Sequence, residues 1–227
     1  MDIGFDIASS VLGSATTSVT IPAFVTTGTE RVVFVGAGNS GGTGDLVNSI
    51  IRGGTENFTE LWDATTGGNS GHCGAYYVAP GTGSASVVVT WASSRNSCAA
   101  GAIALNNVSQ TAPVGTAVTN TGSSATASAT VTVDATDLIV DNVWSSSTST
   151  VTVGADQTSR WNQPDGGAST AGAGSTQLGS VDNVMTWTLT SNPWAIGAVP
   201  FKIGTGPPSR FTINRLRPAI FTPGIAR

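Results

Sequence analysis

Residues 129–144 have the sequence ATVTVDATDLIVDNVW, which carries the clearest structural signal in the chain. On both sides of residues 134–136, apolar and β-branched residues alternate with polar ones. Successive side chains of a strand point to opposite faces of a sheet, so this period of two indicates two half-buried β-strands. We therefore predict a β-hairpin that turns at Asp134, Ala135 and Thr136.

The same alternation recurs along most of the chain. In SASVVVTW (84–91), the side chains of Val87, Val89 and Trp91 are predicted to share one face. Near the end, MTWTLTSNPWAIGAVPFKI predicts two strands joined by a turn at residues 191–193. The complete set of predicted strands is 17–21, 31–37, 46–52, 57–62, 74–79, 84–91, 99–106, 126–133, 137–143, 149–153, 184–190 and 194–203.

The composition agrees with a β protein that has one core. Of the 227 residues, 39% are apolar, only 10% are charged and 29 are glycine. Short strands separated by Gly, Ser, Asn and Pro are typical of a sandwich or barrel, and the length suits one large β domain. We therefore predict an all-β fold, a two-sheet antiparallel β-sandwich that occupies residues 1–203.

Neither export nor membrane insertion is predicted. The opening residues, MDIGFDIASSVLG, contain acidic residues where a secretory signal has Lys or Arg, and they lack a long apolar run. No stretch of the sequence reaches the roughly 20 apolar residues that span a bilayer.

The net charge of −4 hides an uneven distribution. All 13 acidic residues lie at or before Asp182 with four arginines, which gives this part a net charge of −9. Residues 204–227 are proline-containing and basic, and they contain no acidic residue. We interpret them as an extended C-terminal arm that docks on an acidic neighbour, such as another copy of the chain; the alternative is a solvated tail. The predicted contact residues of the arm are Arg210, Phe211, Arg215, Leu216, Arg217, Ile220, Phe221 and Arg227.

Residue types suited to catalysis are sparse. His72 is the single histidine and stands beside Cys73, but neighbours on a strand face opposite ways, which disfavours a catalytic dyad. Glu56, Glu60 and Asp63 are the carboxylates best suited to glycoside hydrolysis. On an extended strand the first two would lie about 13 Å apart, which is too far for that chemistry. We predict no catalytic residue and no enzymatic activity.

Metal binding and disulfide formation are the next alternatives. Asp137, Asp141 and Asp156 could meet at one end of a sandwich and bind calcium, but their spacing does not match an EF-hand. We expect no metal and no cofactor. Cys73 and Cys98 form a disulfide if their strands are neighbours, or else remain buried thiols; both alternatives stay open.

Sugar binding would use exposed aromatic side chains beside polar groups. Trp161, Asn162 and Gln163 form the most loop-like group of this kind, although aromatic residues of a sandwich belong more often to the core. The glycine-rich residues 36–44, GAGNSGGTG, do not match GxGxxG followed by a helix, so we predict a long loop there.

Several segments together resemble a family of jelly-roll, concanavalin-like β-sandwich domains found in bacteriophage virion proteins and bacterial surface proteins. They are AYYVAPGTGSASVVVTW, AIALNNVSQTAPVGT, ATVTVDATDLIVDNVW and MTWTLTSNPWAIGAVPFKI. The resemblance covers residues 17–203 and rests on a pattern of strands and turns rather than on a catalytic motif. The closing residues, RPAIFTPGIAR, also resemble short C-terminal tails of some phage structural proteins.

The resemblance implies a jelly-roll sandwich. A composition typical of exported β domains without an export signal, and an acidic body with a basic arm, favour the phage alternative: a virion structural protein, namely a capsid decoration or cement subunit. Such a subunit would be made in the host cytoplasm, bind the major capsid protein or other virion proteins, and form homo-oligomers. No nucleic-acid or membrane partner is expected. The alternative is a carbohydrate-binding or adhesive module of a phage fibre or cell-surface protein, with a glycan as its partner.

Overall fold

The computed structural model describes residues 2–40, 47–66, 72–147, 149–164, 170–179 and 183–204, without the side chains of His72, Cys73 and Tyr76. Regular structure in these residues is entirely β, and none of them forms a helix that could cross a membrane. The strands are β1 (Gly4–Thr26), β2 (Val32–Ser40), β3 (Val47–Arg52), β4 (Glu56–Asn57), β5 (Thr59–Thr65), β6 (His72–Val78), β7 (Gly83–Asn106), β8 (Val118–Thr130), β9 (Leu138–Ser145), β10 (Thr152–Val153), β11 (Thr158–Pro164), β12 (Ala171–Leu178) and β13 (Val184–Phe201).

The strands form two antiparallel sheets, which confirms the predicted two-sheet sandwich. The first sheet has the order β4-β3-β7-β2-β6-β5, with β1 paired to β7. The second has the order β10-β13-β9-β12-β11, with β8 paired to β13. Each half of the chain therefore builds its own sheet, whereas in a jelly roll consecutive strands alternate between the sheets.

The first sheet folds back over its own outer face. Strands β1 and β7 pair along their whole lengths, with a register shift between Thr16 and Ser18. Val89 and Trp91, from the first part of β7, share a buried cluster with Ala100 and Ala102 from its second part. The segments predicted as strands 84–91 and 99–106 are thus two parts of one bent strand.

The second sheet folds back in the same manner. Strand β13 has a register shift between Thr188 and Asn192, and Trp187 lies in one buried cluster with Ile196 and Ala198. The predicted turn at residues 191–193 is wrong, because β8 continues to pair with β13 on both sides of the irregularity.

The predicted hairpin at residues 129–144 is also wrong. Its turn exists, since the Asp137 amide donates to the Asp134 carbonyl oxygen at 3.0 Å. The two flanking strands, β8 and β9, do not pair with each other, because β13 lies between them and pairs with both. Local alternation identified the strands but not their partners.

Three regions were not predicted as strands. Strands β11 and β12 were missed, and β1 begins well before the predicted 17–21. The prediction of a glycine-rich loop is wrong for residues 36–40, which belong to β2 and are mostly buried. Residues 41–44 lie outside the described residues. Strand β12, AGAGSTQL, consists largely of small residues and is buried except at Leu178, so it lacks polar alternation.

A third buried cluster lies between the two sheets. Phe34 from the first sheet packs at ring-centroid distances of 5.8 Å from Trp62 and 6.2 Å from Phe201, the latter from the second sheet. The cluster also contains Ile3, Val32, Ile103, Leu105, Val108, Leu138, Val140, Trp161 and Val199. Because this core takes residues from both halves, the described residues up to Gly204 pack as one body.

The two halves of the chain repeat one arrangement of strands. In each half a long first strand pairs with a long last strand, which is flanked by the second strand of that half. The pairs of equivalent strands are β1 and β8, β2 and β9, β3 and β10, β5 and β11, β6 and β12, and β7 and β13. A register shift precedes Trp62 on β5 and Trp161 on β11 alike. The structure therefore shows a duplicated topology.

Two glycine–tryptophan contacts join the halves reciprocally. Gly101 on β7 lies against the indole ring of Trp161, and Gly197 on β13 lies against that of Trp62. A Cβ atom at either glycine would overlap the facing ring. Each half thus supplies a tryptophan to the glycine of the other half.

The register places an approximate two-fold axis at the centre of the core. Gly36 pairs with Gly101, and Asn142 pairs with Gly197, so Gly36 and Asn142 are equivalent positions. They face each other, because a Cβ atom at Gly36 would lie 2.5 Å from the Asn142 side-chain carbonyl carbon. Equivalent residues that meet lie at the axis relating them.

Candidate functional site

The chain leaves the sandwich at Gly204, and the surface around that point is acidic. The Gly204 amide donates to the Asn107 carbonyl oxygen at 2.8 Å, and the Asn107 side-chain amide donates to the Asp2 carbonyl oxygen at 2.9 Å. A side chain at Gly204 would overlap the Glu30 carboxylate. We call this surface the exit face; its polar residues are Asp2, Glu30, Asn107, Asp134, Asp137 and Lys202.

Lys202 anchors the end of β13 to the exit face. Its ammonium lies 2.6 Å from the Asp137 carboxylate and 2.9 Å from that of Asp134. Hydrogen bonds to Asp137 and then Asp134 raise the pKa of Lys202, so it stays charged near neutral pH. Asp137 is buried while Asp134 is exposed, and the local charge remains acidic after the pairing.

A groove of about 300 Å³ opens beside the exit face. Phe5 and Leu178 contribute exposed apolar surface to it, with 38% and 50% of their areas accessible. Large exposed apolar side chains that share one concavity mark a binding surface more often than isolated ones do. The groove is lined by Ile3, Phe5, Leu138, Asp156, Thr158, Arg160, Thr176, Gln177 and Leu178.

Arg160 forms one wall of the groove in a fixed position. Its guanidinium lies 3.8 Å from the centroid of the Phe5 ring, and its Nε donates to Thr176 Oγ1 at 2.8 Å. Burial lowers the pKa of Arg160, but an arginine so placed remains protonated. Arg160 is the extra residue of the bulge that precedes Trp161, so no residue of β12 pairs with it.

A smaller cavity of about 170 Å³ extends the groove toward the exit face. It shares Ile3, Leu138 and Leu178 with the larger cavity, so the two adjoin. Its other lining residues include Asp2 and Asp137. The combined surface therefore has an apolar middle and an acidic end.

Asp141 is a buried carboxylate with four donors. Its Oδ1 accepts from the Ser175 amide at 2.7 Å and hydroxyl at 2.8 Å. Its Oδ2 accepts from Trp187 Nε1 at 2.6 Å and from Gln157 Nε2 at 3.3 Å. Burial raises the pKa of Asp141 to about 6, and the hydrogen bonds oppose that rise. Because it has no solvent access, we assign it a structural role.

The residues predicted for sugar binding do not form an exposed platform. Trp161 is 5% exposed and lies in the core against Gly101. The Asn162 side-chain amide donates to the Val151 carbonyl oxygen at 2.6 Å, and that of Gln163 donates to Ser10 Oγ at 2.8 Å. All three belong to β11 and not to the loop that the sequence suggested. The small residues facing Trp161 leave room for the indole between the sheets.

Glu56, one of the carboxylates considered for glycoside hydrolysis, is held in structural contacts. Glu56 pairs with the buried Arg52 at 2.8 Å and accepts the Gly81 amide at 2.7 Å. Trp62, which would lie beside a bound sugar, is 6% exposed.

The backbone separates the two cysteines. Cys73 pairs with Gly38, whose other partner is Ala99, whereas Cys98 pairs with Asn39. One whole strand lies between them, and two strand spacings of about 4.8 Å exceed the usual Cα separation of a disulfide. The Cys98 thiol donates to the Gly13 carbonyl oxygen at 3.5 Å. This geometry favours the buried-thiol alternative for Cys98 over a disulfide with Cys73.

The aspartates considered for calcium do not converge. Asp141 is enclosed by its four donors, while Asp137 binds Lys202. Within the ranges that the structure describes, no group of three or more His, Cys, Asp or Glu residues is arranged to hold a metal ion.

The arm residues Arg210, Phe211, Arg215, Leu216, Arg217, Ile220, Phe221 and Arg227 lie outside the described residues. The groove residues Phe5, Arg160 and Leu178 were not predicted from the sequence. Their apolar and basic character is ordinary for a sandwich, and the pairing of β1 with β7 is what brings Phe5 beside Arg160. A missed strand, β11, positions Arg160, so no local pattern could have indicated the groove.

Comparisons with protein families, with characterised proteins and with solved structures gave no match. The class established by the structure is an all-β, two-sheet sandwich with a duplicated topology.

Proposed function

We propose that this protein is a structural subunit that works by binding neighbours in a particle, specifically a capsid decoration or cement subunit of a virion. In this role it binds the major capsid protein and other copies of itself. The observation that carries the proposal is the exit face: an acidic end of a rigid body from which a basic, apolar segment departs.

The charge arrangement supports assembly. Residues 205–227 contain Arg210, Arg215, Arg217 and Arg227 with no acidic residue, while Asp2, Glu30, Asp134 and Asp137 cluster where this segment begins. Opposite charges on two parts of one chain favour contacts between copies and raise the rate of their encounter. An arm of this kind adds contact area with little additional folded structure.

The rigidity of the body supports the same function. Strands pair in two sheets that fold over their own cores, and the sheets interlock through Gly101, Gly197 and their facing tryptophans. A scaffold of this kind suits a repeating lattice, where each copy has to present its surface in the same geometry. The alternative of a carbohydrate-binding or adhesive module is less well supported, because Trp161, the residue expected to stack on a sugar, is buried.

Quantitative mass spectrometry of purified particles from the source, together with an arm deletion, tests the proposal. We expect the full chain at a fixed stoichiometry to the major capsid protein, and a chain ending at Ile203 that retains its circular dichroism spectrum but is not incorporated. Absence of the chain from particles would refute the virion assignment. Equal incorporation of the folded, truncated chain would refute the role of the arm.

A further inference from the structure

We propose that the groove beside the exit face of one copy binds the C-terminal arm, residues 205–227, of a second copy. This inference rests on the proposed function and names one partner of the subunit. The groove comprises the two adjoining cavities that share Ile3, Leu138 and Leu178.

The apolar surfaces match in kind. Phe5 and Leu178 expose apolar area over a floor that includes Ile3, which is buried. The arm carries Phe211, Leu216, Ile220 and Phe221, large apolar side chains that an unbound segment would leave in water. Covering both sets at once removes apolar area from solvent, which favours association.

The charges match as well. Asp2 and Asp137 line the end of the groove at the exit face, and Asp156 lines its other part. Arg160 keeps its positive charge, but the carboxylates of Asp2 and Asp156 among the lining residues of the two cavities outnumber it. An apolar middle with carboxylates beside it suits a peptide in which arginines flank apolar residues.

Position favours the arm of a neighbour. Leu138 in the groove pairs directly with Phe201, so this part of the groove lies beside a residue four positions before the arm begins. Its own arm would have to reverse direction at once to enter, whereas Pro207 and Pro208 favour an extended chain. Fully extended, residues 205–227 could reach about 75 Å at roughly 3.3 Å per residue, which is ample for a second molecule. Reciprocal exchange of two arms gives a closed dimer with two-fold symmetry.

A complementation experiment with full-length chains tests this inference. The first variant, Leu178→Lys, places a positive charge in the groove and leaves the arm intact. The second, Arg210→Glu with Arg215→Glu and Arg217→Glu, alters the arm and leaves the groove intact. The matched control is Val25→Lys, which changes a residue of similar exposure, 49%, that does not line the groove. Association is measured by sedimentation equilibrium.

We expect the unaltered chain and Val25→Lys to dimerise alike, and each of the two variants to dimerise at least about tenfold more weakly. A mixture of the two variants should form a heterodimer, because one supplies an arm and the other a groove. Circular dichroism should show that all four proteins are folded.

The remaining outcomes overturn the inference. A monomeric unaltered chain, or variants that do not complement each other, would show that the arm does not exchange. Dimers unaffected by Leu178→Lys would show that the groove is not the docking site. Particle incorporation separates this inference from the proposed function: if Leu178→Lys is incorporated normally and the arm variant is not, the decoration role stands and the groove assignment fails.

Discussion

At the scale of single residues, Asp141 shows how the fold tolerates a buried charge. A carboxylate without solvent is costly unless donors surround it, and here a backbone amide, a hydroxyl, an indole and a side-chain amide all point at its two oxygens. Burial nevertheless dominates and raises the pKa to about 6. The folded protein therefore holds the Asp141 proton at a pH where the unfolded chain has released it.

We predict that Asp141 makes the protein less stable as pH rises from 4 to 6. A folded-state pKa of about 6, against the ordinary aspartate pKa of 3.8, means that the native state binds more protons across this window, so the free energy of unfolding falls with rising pH. The contribution is on the order of 3 kcal/mol, complete below pH 4 and lost above pH 6. Urea unfolding at pH 4, 5, 6 and 7 measures it.

Asp141→Asn is the control for this prediction. The amide cannot titrate, and it would present donors to Trp187 Nε1 and Gln157 Nε2 where the carboxylate accepts, so at pH 4 we expect Asp141→Asn to be less stable than the unaltered protein by about 1–3 kcal/mol. The variant should lack the fall in stability that Asp141 causes between pH 4 and 6. The difference between the two proteins should therefore vary with pH. Parallel profiles would mean that Asp141 does not titrate in this range.

At the scale of elements, strands β7 and β13 carry the contacts that define the space between the sheets. Gly101 and Gly197 occupy equivalent positions, and each lies against a tryptophan that follows a bulge in the opposite sheet. A methyl group at either position has to displace an indole or separate the sheets. Overpacking of this kind costs more than the gain from one buried methyl group.

Gly101→Ala and Gly197→Ala should each lower the free energy of unfolding by about 1–3 kcal/mol, and by similar amounts. The control is Gly54→Ala, where φ is +79° and nothing lies within 4 Å of the added Cβ, so the change costs only the backbone strain of about 1 kcal/mol. Guanidinium chloride unfolding compares the three. If Gly101→Ala cost no more than Gly54→Ala, the close packing against Trp161 would not be a constraint.

The same elements show what the sequence could and could not predict. Val87, Val89 and Trp91 were assigned to one face correctly, because alternation is a local property of a half-buried strand. The turn at Asp134 formed, but the partners of its strands were wrong, because β13 comes from more than 40 residues later in the chain and inserts between them. Strand β12 was missed because small residues buried against Trp161 give no alternation. Trp161 was assigned to a loop because its burial depends on residues of the other half of the molecule, which no local pattern shows.

At the scale of the whole molecule, duplication explains how a chain with few charges and many small residues reaches a specific structure. Each half folds its sheet over one cluster of its own, and the third cluster forms only where the halves meet. Each half therefore has one buried cluster of its own, and the two halves share the cluster at the axis. Neither half can bury both faces of its sheet alone.

We therefore predict that the chain can be divided between Thr111 and Ala112, two exposed residues in the connection between the halves. Residues 1–111 and 112–227 should each be poorly soluble when expressed alone, because Phe34 and Ile103 in one, and Val140 and Phe201 in the other, lose their cover. When the fragments are co-expressed with a tag on one of them, they should purify together at equal stoichiometry. The double substitution Trp62→Ala with Trp161→Ala should reduce the amount of the untagged fragment recovered, because it removes both reciprocal contacts. A single fragment that is monomeric and unfolds cooperatively would show instead that one sheet is a self-sufficient domain, and that the core between the sheets merely joins two independent units.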